Sequence, residues 1–299
     1  MKKYHCWIVY NGNLQEEKFV DLAQWLDNAA RKHDVSSVSS KLVKNNELFP
    51  TIENGQATIK GNASPLPDFV IFLDKDIALA KQFELIGIPV FNSSECISIC
   101  DNKSLTFQLL ANNGIPMPKT LLAPLVFMEH GDLEPFDVAI EELGFPLVLK
   151  EAFGSFGMQV FLIHSREALH KKIKEIGNKP FLLQQFIQSS YGKDIRLNVV
   201  GNEVVASMKR ISETDFRANV SNGGRMEVYE PTNEEKELAV KCTALVGADF
   251  AGVDLLFGDD GTPIVCEINS NAHIRNIYNC TGVNVAEFII PHVLKKVMG

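Results

Sequence analysis

Two apolar segments within residues 250–270, near the C-terminal end of the sequence, together carry two acidic residues and one amide. A Gly-Asp-Asp-Gly turn signal at 258–261 divides the stretch into two short apolar segments, which predicts a β-hairpin. Folding about that turn brings Asp254 and Glu267 opposite each other. Asn269 then lies on the same face as Glu267, because side chains alternate along a strand.

Like charges opposite each other destabilise a strand pair, and partly buried carboxylates cost free energy unless something neutralises them. A divalent cation would do so, and carboxylate and amide oxygens are hard ligands that favour Mg2+ or Mn2+ over zinc. Two alternatives explain the same residues. Either one acid is protonated or paired with an arginine, or the strand register differs by one residue. The hairpin alone does not choose between them.

A glycine-containing loop follows Lys150 and has the sequence EAFGSFGM over residues 151–158. Backbone amides exposed by glycines, together with a hydroxyl and a neighbouring lysine, suit a polyphosphate. A flexible hairpin with two glycines is the simpler explanation of the spacing. The sequence contains neither the GxxxxGK[ST] of a P-loop nor a GxGxxG after the first strand, which excludes those two nucleotide sites.

Two further polar stretches carry charged groups. The segment 215–224 contains Arg217 and Asn219 two residues apart, and phosphate or carboxylate recognition explains it about as readily as a solvated surface loop. The alternation DIRLN predicts a strand with three polar residues on one face, Asp194, Arg196 and Asn198. An exposed face with an internal ion pair is the alternative for that strand.

The sequence contains no HExxH or GxSxG pattern. Covalent catalysis by a side chain is therefore not indicated, and the residues favour chemistry performed by positioning and a metal. The six cysteines are scattered without a CxxC pair, which predicts reduced thiols in a cytoplasmic protein.

The hydrophobic pattern predicts the elements that position these residues. In the first part of the chain it predicts strands at 7–9, near 35–38, at 69–73 and at 89–91, and helices at 15–32 and 77–85, with a weakly patterned polar region after residue 38. Strands that alternate with helices indicate a parallel sheet. Residues 1–95 are therefore predicted to form a small open α/β domain.

The second part of the chain is predicted to begin with a single helix over 98–113, followed by a helix near 136–143. Strands at 147–150 and 159–163 flank the glycine loop, and the middle region ends with a helix at 166–176 and a strand at 181–185. The last third is richer in strands, with 195–200 and 203–210 preceding the hairpin, and helices at 233–245 and 285–297.

Composition bounds the function. The 299 residues are long enough for two domains, and 45% hydrophobic with 22% charged residues is ordinary for a globular protein. A net charge of −8 argues against a nucleic-acid partner. The first ten residues predict a strand instead of a signal peptide, and no apolar run has the length of a membrane span, which predicts no membrane partner.

Taken in order, these pieces resemble the ATP-grasp superfamily, and specifically its RimK-type glutamate ligase branch. The similarity extends from about Phe69 to the C-terminus and is carried by ordered segments: 82–92 (QFELIGIPVFN), 101–103 (DNK), 108–110 (QLL), 146–150 (PLVLK), 194–196 (DIR), 215–219 (DFRAN), 223–224 (GG), 251–254 (AGVD) and 266–269 (CEIN). The resemblance implies an N-terminal open parallel α/β domain at 1–95, a central ATP-grasp subdomain at 96–185 and a C-terminal ATP-grasp subdomain at 186–299.

The resemblance also implies a Mg-ATP site between the two subdomains. Its ATP contacts would be Lys103, Lys150, Gly154, Ser155, Gly157, Gln184, Gln185, Phe186, Ile187, Asp194, Arg217 and Asn219. Among these, the segment 185–187 would bind adenine and Asp194 would bind the ribose hydroxyls. The catalytic residues would be Lys150, Arg217 and Asn219. The metal ligands would be Asp254, Glu267 and Asn269, holding Mg2+ or Mn2+, with two ions implied.

The sequence departs from the family pattern in three places. Gln185 stands where the family usually has Glu, and its amide oxygen would keep ATP binding. The segment 270–275 (SNAHIR) replaces small residues and Pro-Gly, and 74–76 (DKD) is more charged than the family pattern. Substrate contacts are predicted at Arg196, Arg210, His273 and Arg275, with local packing as the alternative for the last two. These departures put glutamate as the added amino acid in doubt.

The implied reaction is ATP-dependent amide or peptide bond formation through an acyl phosphate, with an amino acid and a carboxylate acceptor as substrates. The acceptor would be a small molecule, a peptide or a protein C-terminus, and a homo-oligomer is compatible with the apolar surface helices. Two alternatives are a nucleotide-binding regulatory protein with the same fold and no ligase turnover, and, less favoured, a kinase that makes a stable phosphate ester.

Overall fold

The computed structural model describes residues 3–14, 16–33, 38–219 and 223–299, and these contain four β-sheets with helices packed against them. The N-terminal sheet has the strand order β2-β1-β5-β6 and is parallel throughout. Its strands are β1 (Tyr4–Tyr10), β2 (Val38–Lys44), β5 (Phe69–Leu73) and β6 (Val90–Phe91), and its helices are α1 (Glu17–Lys32) and α2 (Ile77–Leu85). The parallel α/β arrangement predicted from the sequence is confirmed.

Two elements in this region differ from the prediction. The strand expected near 35–38 is found as β2, and residues 35–37 lie outside the described part of the chain. The region predicted to be weakly patterned contains an antiparallel hairpin, β3 (Leu48–Glu53) with β4 (Gln56–Gly61). A buried amide holds it against α2, because the Gln82 side chain donates to the carbonyls of Thr51 at 2.9 Å and Thr58 at 2.6 Å.

The single helix predicted over 98–113 is wrong, because two helices occupy this segment: α3 (Ser94–Asp101) and α4 (Lys103–Asn112). Asn102 separates them in an extended conformation, and its side chain caps α4 by accepting a hydrogen bond from the amide of Ser104 at 3.0 Å. The break places Lys103 in the first turn of a helix. The lysine therefore emerges at a helix N-terminus.

The middle sheet is antiparallel and has the strand order β7-β10-β8-β9. Its strands are β7 (Thr120–Leu122), β8 (Leu147–Glu151), β9 (Val160–Ile163) and β10 (Phe181–Gln185), with α5 (Asp137–Leu143) and α6 (Arg166–Ile176) packed on one side. The glycine loop joins β8 to β9, as the sequence predicts. β7 has no counterpart in the prediction because it is only three residues long.

The C-terminal sheet is antiparallel, with the order β13-β12-β11-β14-β15. Its strands are β11 (Lys193–Val200), β12 (Glu203–Ile211), β13 (Arg225–Val228), β14 (Phe250–Phe257) and β15 (Pro263–Asn269), and the helices are α7 (Asn233–Leu245), α8 (Arg275–Thr281) and α9 (Ala286–Met298). Alternate residues of β11, β14 and β15 pack against α7, among them Ile195, Leu197, Val199, Val253, Leu255, Val265 and Ile268. The opposite face of the same strands is left to polar side chains.

A shared core joins the N-terminal sheet to the C-terminal one, because side chains of α1, β1 and β5 pack with those of β12, α8 and α9. A fully buried amide, Asn92, adds a polar link. It accepts from the amides of Asp249 at 2.6 Å and Phe250 at 3.3 Å, and donates to the carbonyls of Phe250 at 2.9 Å and Ser270 at 2.8 Å. Among the described residues, no helix has the length and apolar character needed to cross a membrane.

Asn92→Ala should destabilise the protein by about 3–5 kcal/mol, because it leaves several buried backbone groups without hydrogen-bond partners. Urea unfolding followed by circular dichroism measures this change. The matched control is Asn62→Ala, since Asn62 is exposed and, within the described part of the chain, bonds only to surface side chains and a nearby carbonyl. The control should change the free energy of unfolding by less than about 0.5 kcal/mol. Equal effects of the two variants would contradict the role of Asn92 as a buried link.

Candidate active site

The polar face of the C-terminal sheet carries the residues predicted to bind metal. Asp254 pairs directly with Glu267 across β14 and β15, so the predicted hairpin and its register are confirmed. Two neighbouring rows of paired residues cross β11, β14 and β15 on this face: Arg196, Asp254 and Glu267, then Asn198, Gly252 and Asn269. An irregular register next to Asp254 accommodates one extra residue, Cys266, beside Glu267.

Of the alternatives for the facing acids, the structure contains the arginine pairing. Both oxygens of Asp254 accept hydrogen bonds from Arg196, each at 2.7 Å, and Oδ2 also accepts from Arg210 at 2.9 Å. Asp254 is 4% exposed, so its burial alone would raise the pKa of the carboxyl. The two guanidinium groups outweigh that burial and lower the pKa below its ordinary value.

Asp194 is the second carboxylate of this network. Its two oxygens accept from Arg210 at 2.6 and 2.7 Å, a bidentate pair in which both side chains are buried. Burial raises the pKa of Asp194, and the nearby Asp254 adds to this effect while Arg210 opposes it. Arg210 thus lies between two carboxylates, whose charges raise its own pKa against the effect of burial. The sequence places Asp194 and Arg196 on one strand face, but the alternative of an exposed face with an internal ion pair is wrong, because Asp194 is buried and pairs with Arg210, and Arg196 pairs with Asp254.

Glu267 is the more accessible acid, since its side chain is 31% exposed. Its carboxylate lies 3.4 Å from the ammonium of Lys103, which also donates to the carbonyl of Gly154 at 3.4 Å. Lys150 projects from β8 toward the same acid-bearing strand, with its ammonium 3.9 Å from the Cys266 sulfur. Burial raises the pKa of the Cys266 thiol, and the neighbouring lysine opposes that effect.

A cleft of about 910 Å³, which includes the space open to solvent at its mouth, lies between the middle and C-terminal sheets. It is lined by all twelve residues predicted to contact ATP: Lys103, Lys150, Gly154, Ser155, Gly157, Gln184, Gln185, Phe186, Ile187, Asp194, Arg217 and Asn219. Asp254, Glu267 and Arg210 also line it. The geometry therefore brings together groups that are separated by more than 160 positions in the sequence.

Apolar side chains form much of the cleft wall, among them Val148, Val160, Phe186, Phe216 and Leu256. The charged groups gather where the glycine loop meets the C-terminal sheet. Arg217 donates a hydrogen bond to the carbonyl of Gly157 at 2.6 Å. It also donates to Oδ2 of Asp215 at 2.6 Å. The same guanidinium lowers the pKa of Asp215. An apolar chamber with a cationic end suits a ligand with a flat ring and a polyanionic tail.

Four of the predicted site residues do not line the cleft. Arg196 pairs with Asp254 from the neighbouring strand β11. Asn269 lies two residues beyond Glu267 on β15, with its side-chain nitrogen buried and without a hydrogen-bond partner among the described residues. His273 packs its ring against Phe19 at 5.3 Å between centroids. Arg275 pairs with Asp21 and Glu17 of α1, so the alternative of local packing describes its observed contacts.

Several polar residues of the site were not predicted from the sequence, among them Lys193, Cys266 and Lys75. Lys193 lines the cleft at the start of β11, and its position next to Asp194 was a usable signal. Cys266 lines the cleft because β15 contains an extra residue at the irregular register, and no sequence pattern predicts that extra residue. Lys75 donates to the hydroxyl of Ser155 at 3.2 Å and pairs with Asp101. Its charged segment was noticed, but its contact with the glycine loop was not predicted.

The side chains present fit ATP and a divalent cation. Lys103, Lys150 and Arg217 supply positive charge at one end, and Glu267 supplies an accessible carboxylate beside them. Asn269 adds an amide oxygen, in the row of paired residues next to that of Glu267. Asp254 keeps unused lone pairs, since a carboxylate offers about four acceptor positions and three are engaged. All three donors are hard ligands suited to Mg2+.

Comparison with known proteins gives a consistent result. A family model of the RimK-like ATP-grasp domain matches residues 100–293. N-acetylaspartylglutamate synthase A of Homo sapiens is 36% identical over 274 residues, 86% of this chain and 68% of that protein. A "Probable alpha-L-glutamate ligase" of Klebsiella pneumoniae is 37% identical over 222 residues, 73% of this chain and 72% of the relative. The ATP-grasp ligase PsnB, solved with a minimal precursor, Mg and ADP, shares the fold with a TM-score of 0.71 at 17% identity, over 98% of each chain.

Arg210→Met should destabilise the protein by about 3–5 kcal/mol, because it leaves Asp194 buried without its charge partner. The free energy of unfolding at pH 7, measured by urea titration, tests this expectation. Arg225→Met is the matched control, since Arg225 also lies on a strand of this sheet but pairs with Glu227 at the exposed surface; it should cost less than about 1 kcal/mol.

The double variant Asp194→Asn with Arg210→Met should be more stable than Arg210→Met alone, because it removes the buried unpaired carboxylate. A double variant as unstable as the sum of the two single variants would contradict the proposed pairing.

Proposed function

The chain belongs to the RimK-like ATP-grasp family, and from that membership we propose that it is an ATP-dependent carboxylate–amine ligase that forms an amide or peptide bond. Membership fixes the class of reaction to be tested. The residues that would perform it are inferred from the cleft.

The observation that carries the proposal is that Lys150 is buried without a carboxylate partner among the described residues. Its side chain is buried, its ammonium lies against the Cys266 sulfur and the Phe107 ring, and among the described residues no carboxylate lies within 4.0 Å of it. A buried cation without a counter-charge is costly. An anionic ligand would offset that cost, and the phosphates of ATP are such a ligand.

The reaction would proceed in two steps. A substrate carboxylate attacks the γ-phosphorus of ATP, giving an acyl phosphate and ADP, and an amine then displaces phosphate to form the amide. Lys150 and Arg217 would stabilise the charge that develops on the phosphoryl oxygens, and Asn219 would bind the same group. No enzyme nucleophile is required. The glycine loop would exclude water, which otherwise hydrolyses the acyl phosphate.

Glu267, Asn269 and Asp254 would hold divalent cations, with two ions as the proposed number. When bound, such cations neutralise phosphoryl oxygens and orient the phosphates. Asp254 would serve while still hydrogen-bonded to its arginines. Gln185 and the segment 185–187 would bind adenine, and Asp194 is proposed near the ribose, although its carboxylate is already bonded to Arg210.

Glutamate is the first amino acid to test, because the names of both relatives contain it. The acceptor is proposed only by class: a small molecule, a peptide or a protein C-terminus that carries a carboxylate. We also propose that the chain is divided into three structural units, residues 1–95, 96–185 and 186–299, and the separate β-sheets support this division. A cytoplasmic location belongs to the same proposal, supported by six free cysteines.

The full-length chain incubated with Mg-ATP, glutamate or another amino acid, and a panel of carboxylates should release ADP only when both substrates are present. Mass spectrometry should find a product equal to the two substrates minus one water. Lys150→Ala should lower this turnover by about 100-fold or more, because it removes a charge that stabilises the transferring phosphoryl group. Lys81→Ala changes an exposed lysine of α2 and should leave turnover unchanged.

Tight Mg-ATP binding without acceptor-dependent ADP release across the panel would favour the nucleotide-binding regulatory protein. A stable phosphate ester in place of an amide would identify a kinase. Unchanged turnover in Lys150→Ala would refute the role given to this lysine.

A further inference from the structure

The glycine loop is held from four directions. Each residue of its GSFG segment contacts a different partner: Gly154 is contacted by Lys103, Ser155 by Lys75, Phe156 by Phe19 and His273, and Gly157 by Arg217. Lys103 and Arg217 line the nucleotide cleft, whereas Lys75 and Phe19 belong to the N-terminal unit. The loop therefore touches the nucleotide site on one side and the N-terminal unit on the other.

Three aromatic rings form the larger of the N-terminal contacts. The Phe156 ring lies 5.8 Å from that of Phe19 and 5.5 Å from that of His273, and Phe19 and His273 are themselves 5.3 Å apart. These distances and the tilted or edge-on geometries are those of favourable aromatic pairs. We call these residues the aromatic triad. It joins the loop, α1 and the segment after β15.

The backbone conformation of Phe156 indicates that contacts of its ring stabilise the loop. Phe156 has φ +59°, in the left-handed region, where Gly157 next to it also lies at φ +70°. Glycine adopts this conformation freely, but a bulky side chain does so at a cost in free energy. Such strain persists only where the surroundings favour it. The contacts of the Phe156 ring are the favourable surroundings that the structure supplies.

The triad reaches the end of the site that is away from adenine. His273 follows the predicted metal ligand Asn269 by four residues, within a segment whose Asn271 donates to the carbonyl of Leu73 at 2.6 Å. Leu73 is the last residue of β5, so this segment lies at the carboxyl edge of the parallel sheet. Ligands of open α/β sheets bind at that edge. Phe156 thus connects the loop over the phosphates to the edge where a second substrate would enter.

We propose that Phe156 is a positioning residue that makes closure of the glycine loop over the nucleotide depend on the acceptor side of the site, through its contacts with Phe19 and His273. This inference rests on the proposed ligase function and deepens it. Lys103 and Arg217 still hold the two glycines when the ring is removed, so the nucleotide remains bound. What is lost is the coupling between the loop and the N-terminal unit.

Phe156→Ala should therefore lower the yield of amide per ADP released about five- to tenfold, because a loop that closes less completely admits water to the acyl phosphate. The KM for the acceptor should rise, whereas the KM for ATP should change by less than about twofold, since the lysine and arginine contacts to the phosphates persist. Phe156→Tyr keeps the ring and should restore the yield. A general loss of stability would not produce this split between the two substrates.

A second measurement does not require turnover. Hydrogen exchange of the peptide 151–159 in the full-length chain, with Mg-ADP as the probe, should be about five- to tenfold faster in Phe156→Ala than in the wild type. Phe19→Ala should give a similar acceleration, and the double variant should add little to either single one, because both remove the same contact. Phe153→Ala is the matched control: Phe153 lies in the same loop with comparable exposure, 46% against 39%, outside the aromatic triad.

The two measurements separate failure of this inference from failure of the proposed function. If the wild type makes no amide but the exchange pattern is as described, the ligase assignment fails and the contact of the loop with the N-terminal unit stands. If amide forms but Phe156→Ala matches Phe153→Ala in both yield and exchange, the positioning role is overturned. Additive effects of Phe19→Ala and Phe156→Ala would also overturn it, since independent contacts add.

Discussion

The arrangement of the cleft depends on the neutralisation of two carboxylates that one sheet face buries. Asp194 and Asp254 lie on neighbouring strands, and each would be costly in this position without a partner. Arg196 and Arg210 supply the opposite charges through bidentate hydrogen bonds and leave the four-residue network formally neutral. The polar face can therefore form the buried floor of the cleft. The ion pairs also link β11, β12 and β14 to one another beside the charged groups of the site.

This network also constrains how a cation could bind. Asp254 is not a free ligand, because two guanidinium groups already engage both of its oxygens, whereas Glu267 is partly exposed and contacts only Lys103 among the described cations within 4.0 Å. A metal would therefore bind more readily to the carboxylate of Glu267 than to that of Asp254. It would share Asp254 with the arginines and would compete with Lys103 for Glu267. Electrostatics thus predicts that the two acids of the hairpin are unequal, which their symmetric placement in the sequence does not suggest.

Local patterns in the sequence predict much of this architecture, and the physical reason is clear for each success. The hairpin follows from a turn signal with alternating side chains, so Asp254 and Glu267 face each other as expected. The partners of Asp254 could not be predicted in the same way, because Arg210 is 44 positions away and its side-chain direction depends on strand order. The break at Asn102 was missed since one capping hydrogen bond decides it. The pairing of Arg275 with α1 depends on packing between distant elements, which periodicity does not encode.

Three of the cations that line the cleft, Lys103, Lys150 and Arg217, differ in how far they are already neutralised, and this difference orders their roles. Arg217 is bound by Asp215, and Lys103 shares Glu267, so each brings only part of its charge to a ligand. Lys150 has no such carboxylate among the described residues, and it is buried beside a thiol and an aromatic ring. Its field is screened least by either solvent or protein. An incoming polyanion would be drawn most strongly to Lys150, while Lys103 and Arg217, which also bond the carbonyls of Gly154 and Gly157, would link the bound phosphates to the position of the loop above them.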